Sequence, residues 1–171
     1  MTTEQIMSDL RSAVDSSNEW AELGSRFADD AVGIHLAIFV EPFLSLVLSG
    51  KKTIESRFSK HAIAPYNRVL VGDLVFLKAG PVVGYFTVSS VDCKTLQNKK
   101  ELDLIRMTYS NAICAESSDF WRQRIGKHYV TLLGVEMATQ LPRVRVSKVD
   151  KRGWVVLRQS PQSGEKQDSQ L

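Results

Sequence analysis

The chain has 171 residues, 43% hydrophobic and 24% charged, with a net charge of +3 at neutral pH. That is enough for one globular domain with an added segment, able to bury most of its apolar surface. The longest apolar run, AVGIHLAIFV, is too short to cross a bilayer, no secretory signal opens the chain, and Cys93 and Cys114 have no zinc-type spacing, so a reduced, cytoplasmic, membrane-free protein without metal or cofactor is expected.

In chain order, Ile6, Leu10, Ala13 and Val14 share one face of a helix over residues 3–15. After the break at DSSN, Asn18 is placed to cap a second helix running to about Phe27, with Trp20, Leu23 and Phe27 on its buried side. Both helices are expected to brace or cover the main domain, or to meet a protein partner. GIHLAIFV (33–40) reads as a buried strand containing a core or edge histidine, His35. EPFLSLVLSG follows as a short helix, with Pro42 in its first turn and Gly50 as a left-handed stop.

TIESRF then alternates as a strand, with Thr53, Glu55 and Arg57 on one face. A polar loop carrying His61, Tyr66 and Arg68 leads into RVLVGDLVFLKAGPVVGYFTVSSVD, which reads as three strands with Gly-Asp and Gly-Pro turns. Residues 97–125 turn helical, the second piece capped by Ser118 and ended by Gly126, with Trp121 in the core. HYVTLLGVEM and RVRVSKVDKRGWVVL return to strands, the last two joined as a hairpin at Asp150–Gly153. The polar stretch 159–171 is expected to be disordered.

Charge is unevenly spread. Residues 1–32 hold seven acidic and two basic side chains. Residues 143–158 hold Arg143, Arg145, Lys148, Lys151, Arg152 and Arg158 against Asp150 alone. A basic segment of this kind suits a polyanion such as RNA or DNA, although a solvated charged face has the same composition.

The densest chemistry lies in SGKKTIESRF (49–58). Lys52 stands at a helix–strand junction, and Glu55 and Arg57 project from one strand face about 7 Å apart. A carboxylate and a guanidinium so placed orient each other, and with Lys52 they offer donors to phosphate or base oxygens and one acceptor to an amine. A lysine crowded by cations or buried in an apolar pocket can also lose its proton and act as a base. A structural salt bridge has the same spacing.

The pattern Gly50-x-Lys52-x-x-Glu55-x-Arg57 resembles the GxKxxExR signature of the ASCH family, small β-barrels of the PUA-like superfamily. The order of strand, short helix, motif strand, VGDLVFLKAGPVVGYFTV and DFWRQRIGKHYVTLLGVE is similar to that family over about residues 33–136. The resemblance implies an α+β fold, a small PUA-like β-barrel with inserted helices. The chain then divides into an N-terminal helical extension (1–32), the ASCH-type domain (33–158) and a tail (159–171). It also implies a motif-lined cleft for RNA or a modified nucleotide, with Gly50, Lys52, Glu55 and Arg57 at its centre. Tyr66 and Arg68 would close over the ligand, and Arg143, Arg145, Lys151 and Arg152 would add charge.

Some small ASCH proteins hydrolyse N4-acetylcytidine, using a lysine at the position of Lys52, a threonine at the position of Glu55 and a later glutamate. If this chain is such an enzyme, Lys52 and Glu55 are its catalytic residues. Here Glu55 replaces the threonine, Thr53 is the nearest substitute, and Glu101 and Glu116 are the candidates for the later glutamate.

Overall fold

The computed structural model describes residues 2–146 and 152–161. The N-terminal segment forms helix α1 (Thr3–Val14), a 3₁₀ turn (Asn18–Trp20) and helix α2 (Ala21–Ala28). Strand β1 (Ile34–Ile38) leads to helix α3 (Phe43–Leu48) and the motif strand β2 (Ile54–Ser59). Strands β3 (Leu74–Lys78) and β4 (Val82–Thr95), helices α4 (Lys99–Ile113) and α5 (Ser118–Arg122), and strands β5 (Tyr129–Val144) and β6 (Trp154–Arg158) complete the order.

The six strands form one sheet in the order β2-β5-β4-β3-β1-β6, in which only the β1–β3 pair is parallel. Strands β4 and β5 are long, and their pairing shifts register three times, between Val82 and Gly84, Tyr85 and Thr87, and Val88 and Ser90. Each irregularity bends the ribbon and increases its twist. The result is an α+β fold around a curled half-barrel. Among the described residues no helix is long and apolar enough to cross a membrane.

Three apolar clusters fill the structure. Ile6, Leu10 and Val14 of α1 and Leu23 and Phe27 of α2 pack with Ile34, Leu36, Leu74 and Phe76 of the sheet. The N-terminal helices are therefore a brace whose apolar faces are covered within the chain. Arg158 fastens them: its guanidinium donates to the carbonyls of Phe27 (2.8 Å), Asp29 (2.7 Å) and Val32 (2.9 Å), closing the end of α2. A second cluster joins α3 to the other face of β1, β3 and β4, and a third joins α4 and α5 to β2 and β5.

Several expectations need correction. Among the described residues the last two strands do not pair as a hairpin, because β6 pairs antiparallel with β1. β6 is apolar on both faces: Val155 and Leu157 contact the first cluster, and Trp154 and Val156 lie in the second. Only an edge lying between two cores covers both faces, and β1 supplies it. Asp150 and Lys151 lie outside the described residues, as does the tail from 162 onward. Residues 68–71 form a loop instead of a strand, since Asp73 Oδ2 takes the Leu70 N–H (2.9 Å). The helix caps shift by one residue, to Ser17 and Ser117, whose hydroxyls accept from Glu19 and Asp119 N–H.

His35 is fully buried as a satisfied core histidine. The Trp154 indole N–H, which can only donate, bonds to His35 Nδ1 at 3.2 Å. The proton therefore sits on Nε2, which donates to Asp73 Oδ2 at 2.9 Å. Asp73 also accepts the Gly33 N–H at 2.9 Å, which ties the start of β1 to the loop before β3.

Phe27 is 1% exposed and meets Phe76 edge-on at 5.9 Å. Phe27→Ala is expected to cost about 3–5 kcal/mol in urea denaturation, in one cooperative transition. A loss below about 1 kcal/mol would instead make the helices a detachable cover.

Candidate functional site

The site begins where α3 stops. Gly50 has φ +78°, a left-handed conformation that costs a side-chain-bearing residue strain, and it turns the chain out of the helix toward β2. The turn carries Lys52 inward: its backbone N–H bonds to the Leu46 carbonyl (2.9 Å) and its side chain is 2% exposed. The ammonium donates to the Ile113 carbonyl at 2.8 Å, lies 3.2 Å from Glu55 Oε2 and sits 5.0 Å from the Phe43 ring centroid.

Alternation along β2 puts Glu55 and Arg57 on the same face. Glu55 is 5% exposed, and its Oε1 accepts from Arg57 Nε at 2.7 Å. The remaining guanidinium nitrogens donate to the carbonyls of Ile38 (2.9 Å) and Gly153 (3.3 Å). The guanidinium also stacks near Phe39 (5.1 Å) and Trp154 (5.4 Å). The motif thus forms a buried Lys–Glu–Arg triad whose cations are held on both sides.

Above it opens a cavity of about 400 Å³, within the range of small-molecule sites. Phe39, Phe43, Phe58 and Phe120 supply apolar wall, and Ser56 and Gln123 add polar groups. Four cations, Lys52, Arg57, Arg124 and Lys127, face it against the single carboxylate of Glu55. Arg124 lies over the Phe120 ring at 3.3 Å and donates to the Phe120 carbonyl at 2.7 Å, while its Nε is buried without a hydrogen-bond partner. Burial lowers the Arg124 pKa to about 10, with Glu55 opposing the shift and Arg57 adding to it. Burial also lowers Lys52, opposed chiefly by the charge and hydrogen bond of Glu55. At neutral pH Arg124 remains a cation, and the cavity is an electropositive, aromatic-walled cleft.

No family model and no curated protein matches the sequence. Solved structures do match. ASCH from Zymomonas mobilis, 14% identical, superposes over 79% of this chain and 92% of its own with a TM-score of 0.57. A point mutant of that protein, 13% identical, covers 73% of this chain and 88% of its own at the same TM-score. The chain has the ASCH fold.

On this ASCH fold the sequence-predicted residues fall into separate groups. Lys52, Glu55 and Arg57 meet in the cleft, with Gly50 setting the turn that brings them there. Tyr66 lies across Arg57 in an adjoining cavity, ring-to-ring with Tyr129 at 4.9 Å. Arg68 lines neither cavity; its backbone carbonyl accepts from Gln159 Nε2 at 2.8 Å.

Arg143 and Arg145 line a different cavity, beside Leu10, Val14 and Trp20 of the N-terminal helices. Arg152 is exposed and precedes Gly153, and Lys151 lies outside the described residues. Arg143 and Arg145 therefore lie at a different cavity from the motif residues. Thr53 and Glu116 are exposed and do not line the cleft, while Glu101 accepts from the Gln97 N–H at the start of α4. Lys78 closes its own hairpin turn on the Gly80 carbonyl, and Trp121 is core, donating to the Ala115 carbonyl at 2.6 Å.

Phe39, Phe43, Phe120, Gln123, Arg124 and Lys127 are cleft residues that sequence reasoning missed. The available signal was the i, i+4 spacing of Phe120 and Arg124, which puts those two on one side of a helical turn. Among the described residues, no group of three or more His, Cys, Asp or Glu is placed to hold a metal.

Glu55→Ala strands a buried lysine beside Arg57 and is expected to cost about 3–5 kcal/mol at neutral pH. The loss should shrink on the alkaline side. Burial holds the Lys52 pKa below its ordinary 10.5 and Glu55 opposes that, so in the variant the folded value falls further. Between the lowered folded value and 10.5 the unfolded chain binds more protons, so the variant gains stability as pH rises. Urea denaturation at neutral pH and at about pH 10 checks this; a gap that does not narrow would assign the cost to packing.

Proposed function

We propose that this ASCH-fold protein binds RNA, or a modified nucleotide, in the cleft above the motif. One observation carries the reading: four cations converge on an aromatic-walled cavity of about 400 Å³ that holds a single carboxylate. An anion is attracted to that charge balance, a nucleobase fits the volume, and base–aromatic stacking contributes roughly 1–3 kcal/mol per base. In this reading Arg57, Arg124 and Lys127 meet phosphate or base oxygens. Glu55 holds Lys52 and Arg57 in place.

A second reading rests on the lowered pKa of Lys52 and its 3.2 Å approach to Glu55. That pair has the make-up of a base and its orienting group for hydrolysing an acyl amide on a cytidine-type nucleoside. It requires acetate release from N4-acetylcytidine by the wild type, lost in Glu55→Gln. Absence of release across a broad pH range removes it.

Binding is tested by fluorescence anisotropy with labelled single-stranded RNA, duplex RNA and duplex DNA at low and moderate salt. Lys127→Ala is expected to weaken single-stranded RNA binding about tenfold and to reduce the slope of log K against log salt by about 0.7. Arg143→Ala and Arg145→Ala leave binding unchanged in this reading. The reverse pattern would move the site to the cavity beside the N-terminal helices, and preference for duplex DNA would replace RNA as the ligand.

A further inference from the structure

The motif cleft does not end at Arg57. On the far side lies a second cavity of about 320 Å³ that shares Arg57, Phe58 and Lys127 with the first. Tyr66, Tyr129 and Trp154 contribute its aromatic surface. No carboxylate is among its lining residues, so its charge is wholly positive.

Arg57 is the partition between the two. It is fixed by bonds to Glu55, the Ile38 carbonyl and the Gly153 carbonyl, and by the rings of Phe39 and Trp154. Those bonds use three of the five guanidinium N–H groups, which leaves two donors for an anion at the boundary. Lys127, half-buried, lines both cavities, and among the described residues its ammonium has no hydrogen-bond or ion-pair partner. Two nucleoside-sized compartments therefore flank a boundary occupied by two cations.

We infer that the cleft holds two consecutive nucleotides of a single strand. One base enters the motif cavity, its neighbour lies against the Tyr66–Tyr129 pair, and the linking phosphodiester sits at Arg57 and Lys127. This rests on the nucleotide reading above and adds the length and strandedness of the ligand. The two bases are splayed to either side of a fixed side chain, which a stacked duplex cannot supply and an unpaired strand can. A free nucleoside would fill one compartment and leave the boundary cations without their anion.

The test is isothermal titration calorimetry with RNA dinucleoside monophosphates, set against the nucleoside 3′- and 5′-monophosphates that carry the same phosphate without the second nucleoside. Wild type and Tyr66→Ala are compared. The dinucleotides are expected to bind about fivefold tighter or more, the lower bound of one base–aromatic stack. Tyr66→Ala should abolish that advantage, with an unchanged far-ultraviolet circular dichroism spectrum and cooperative urea unfolding as the control that the variant is folded.

Equal affinity for mono- and dinucleotides overturns the inference and leaves the nucleotide reading standing. An advantage that survives Tyr66→Ala overturns it too, because the second nucleoside then sits elsewhere. Absence of binding by either class overturns both.

Discussion

The architecture of the cleft depends on one buried carboxylate. Glu55 sits near the start of an edge strand, yet it is 5% exposed and carries a cation on each oxygen. A charge taken this far from water is tolerated only when it is paired and hydrogen-bonded. Through its two cations Glu55 reaches well beyond β2. Lys52 extends to the Ile113 carbonyl at the end of α4, and Arg57 extends to Ile38 at the end of β1 and to Gly153 just before β6. Segments about a hundred residues apart in sequence meet at one ion cluster, which explains why the cavity above it has a defined floor.

That floor is continuous with a second polar network. Trp154 lies beneath the Arg57 guanidinium, and its indole N–H bonds to His35, which in turn bonds to Asp73. Asp73 accepts two backbone N–H groups, from Gly33 and Leu70, so the start of β1 and the loop before β3 are fixed by the same carboxylate. The path Asp73–His35–Trp154–Arg57 crosses the sheet between two apolar clusters. It converts the pairing of β6 with β1 from a matter of backbone hydrogen bonds alone into a constraint on where Arg57 points.

What could be read in the sequence was what is local. The alternation that puts Glu55 and Arg57 on one face and the left-handed stop at Gly50 are properties of a few consecutive residues, as is the apolar stripe of α1. The ordered resemblance added the half-barrel, which periodicity alone does not dictate. The unread parts depend on non-local packing. Strands near in sequence pair by default, so the 143–158 segment read as a hairpin; the apolar residues on both faces of β6 argued for burial between two cores, but nothing local named β1 as the edge. Arg124 and Lys127 carry no local sign of their place in the cleft, which depends on where the turns after α5 dock beside β2. Asp73 looked like an ordinary turn residue, and only the folded chain shows it buried among donors.

The charge imbalance in the cleft has a thermodynamic consequence. Lys52 and Arg124 are both shifted downward, and for both the first cause is removal from water, with Glu55 the principal group working against it. One carboxylate cannot neutralise the four cations around the cavity, so the folded chain carries an electrostatic cost there. An anion entering the cavity opposes that cost for each cation it approaches, whereas a neutral ligand of the same shape displaces the water that screens them and opposes nothing. The aromatic walls alone would accept either. The excess of buried and half-buried cations is what would set an anionic ligand apart from a neutral one of the same shape in this cleft.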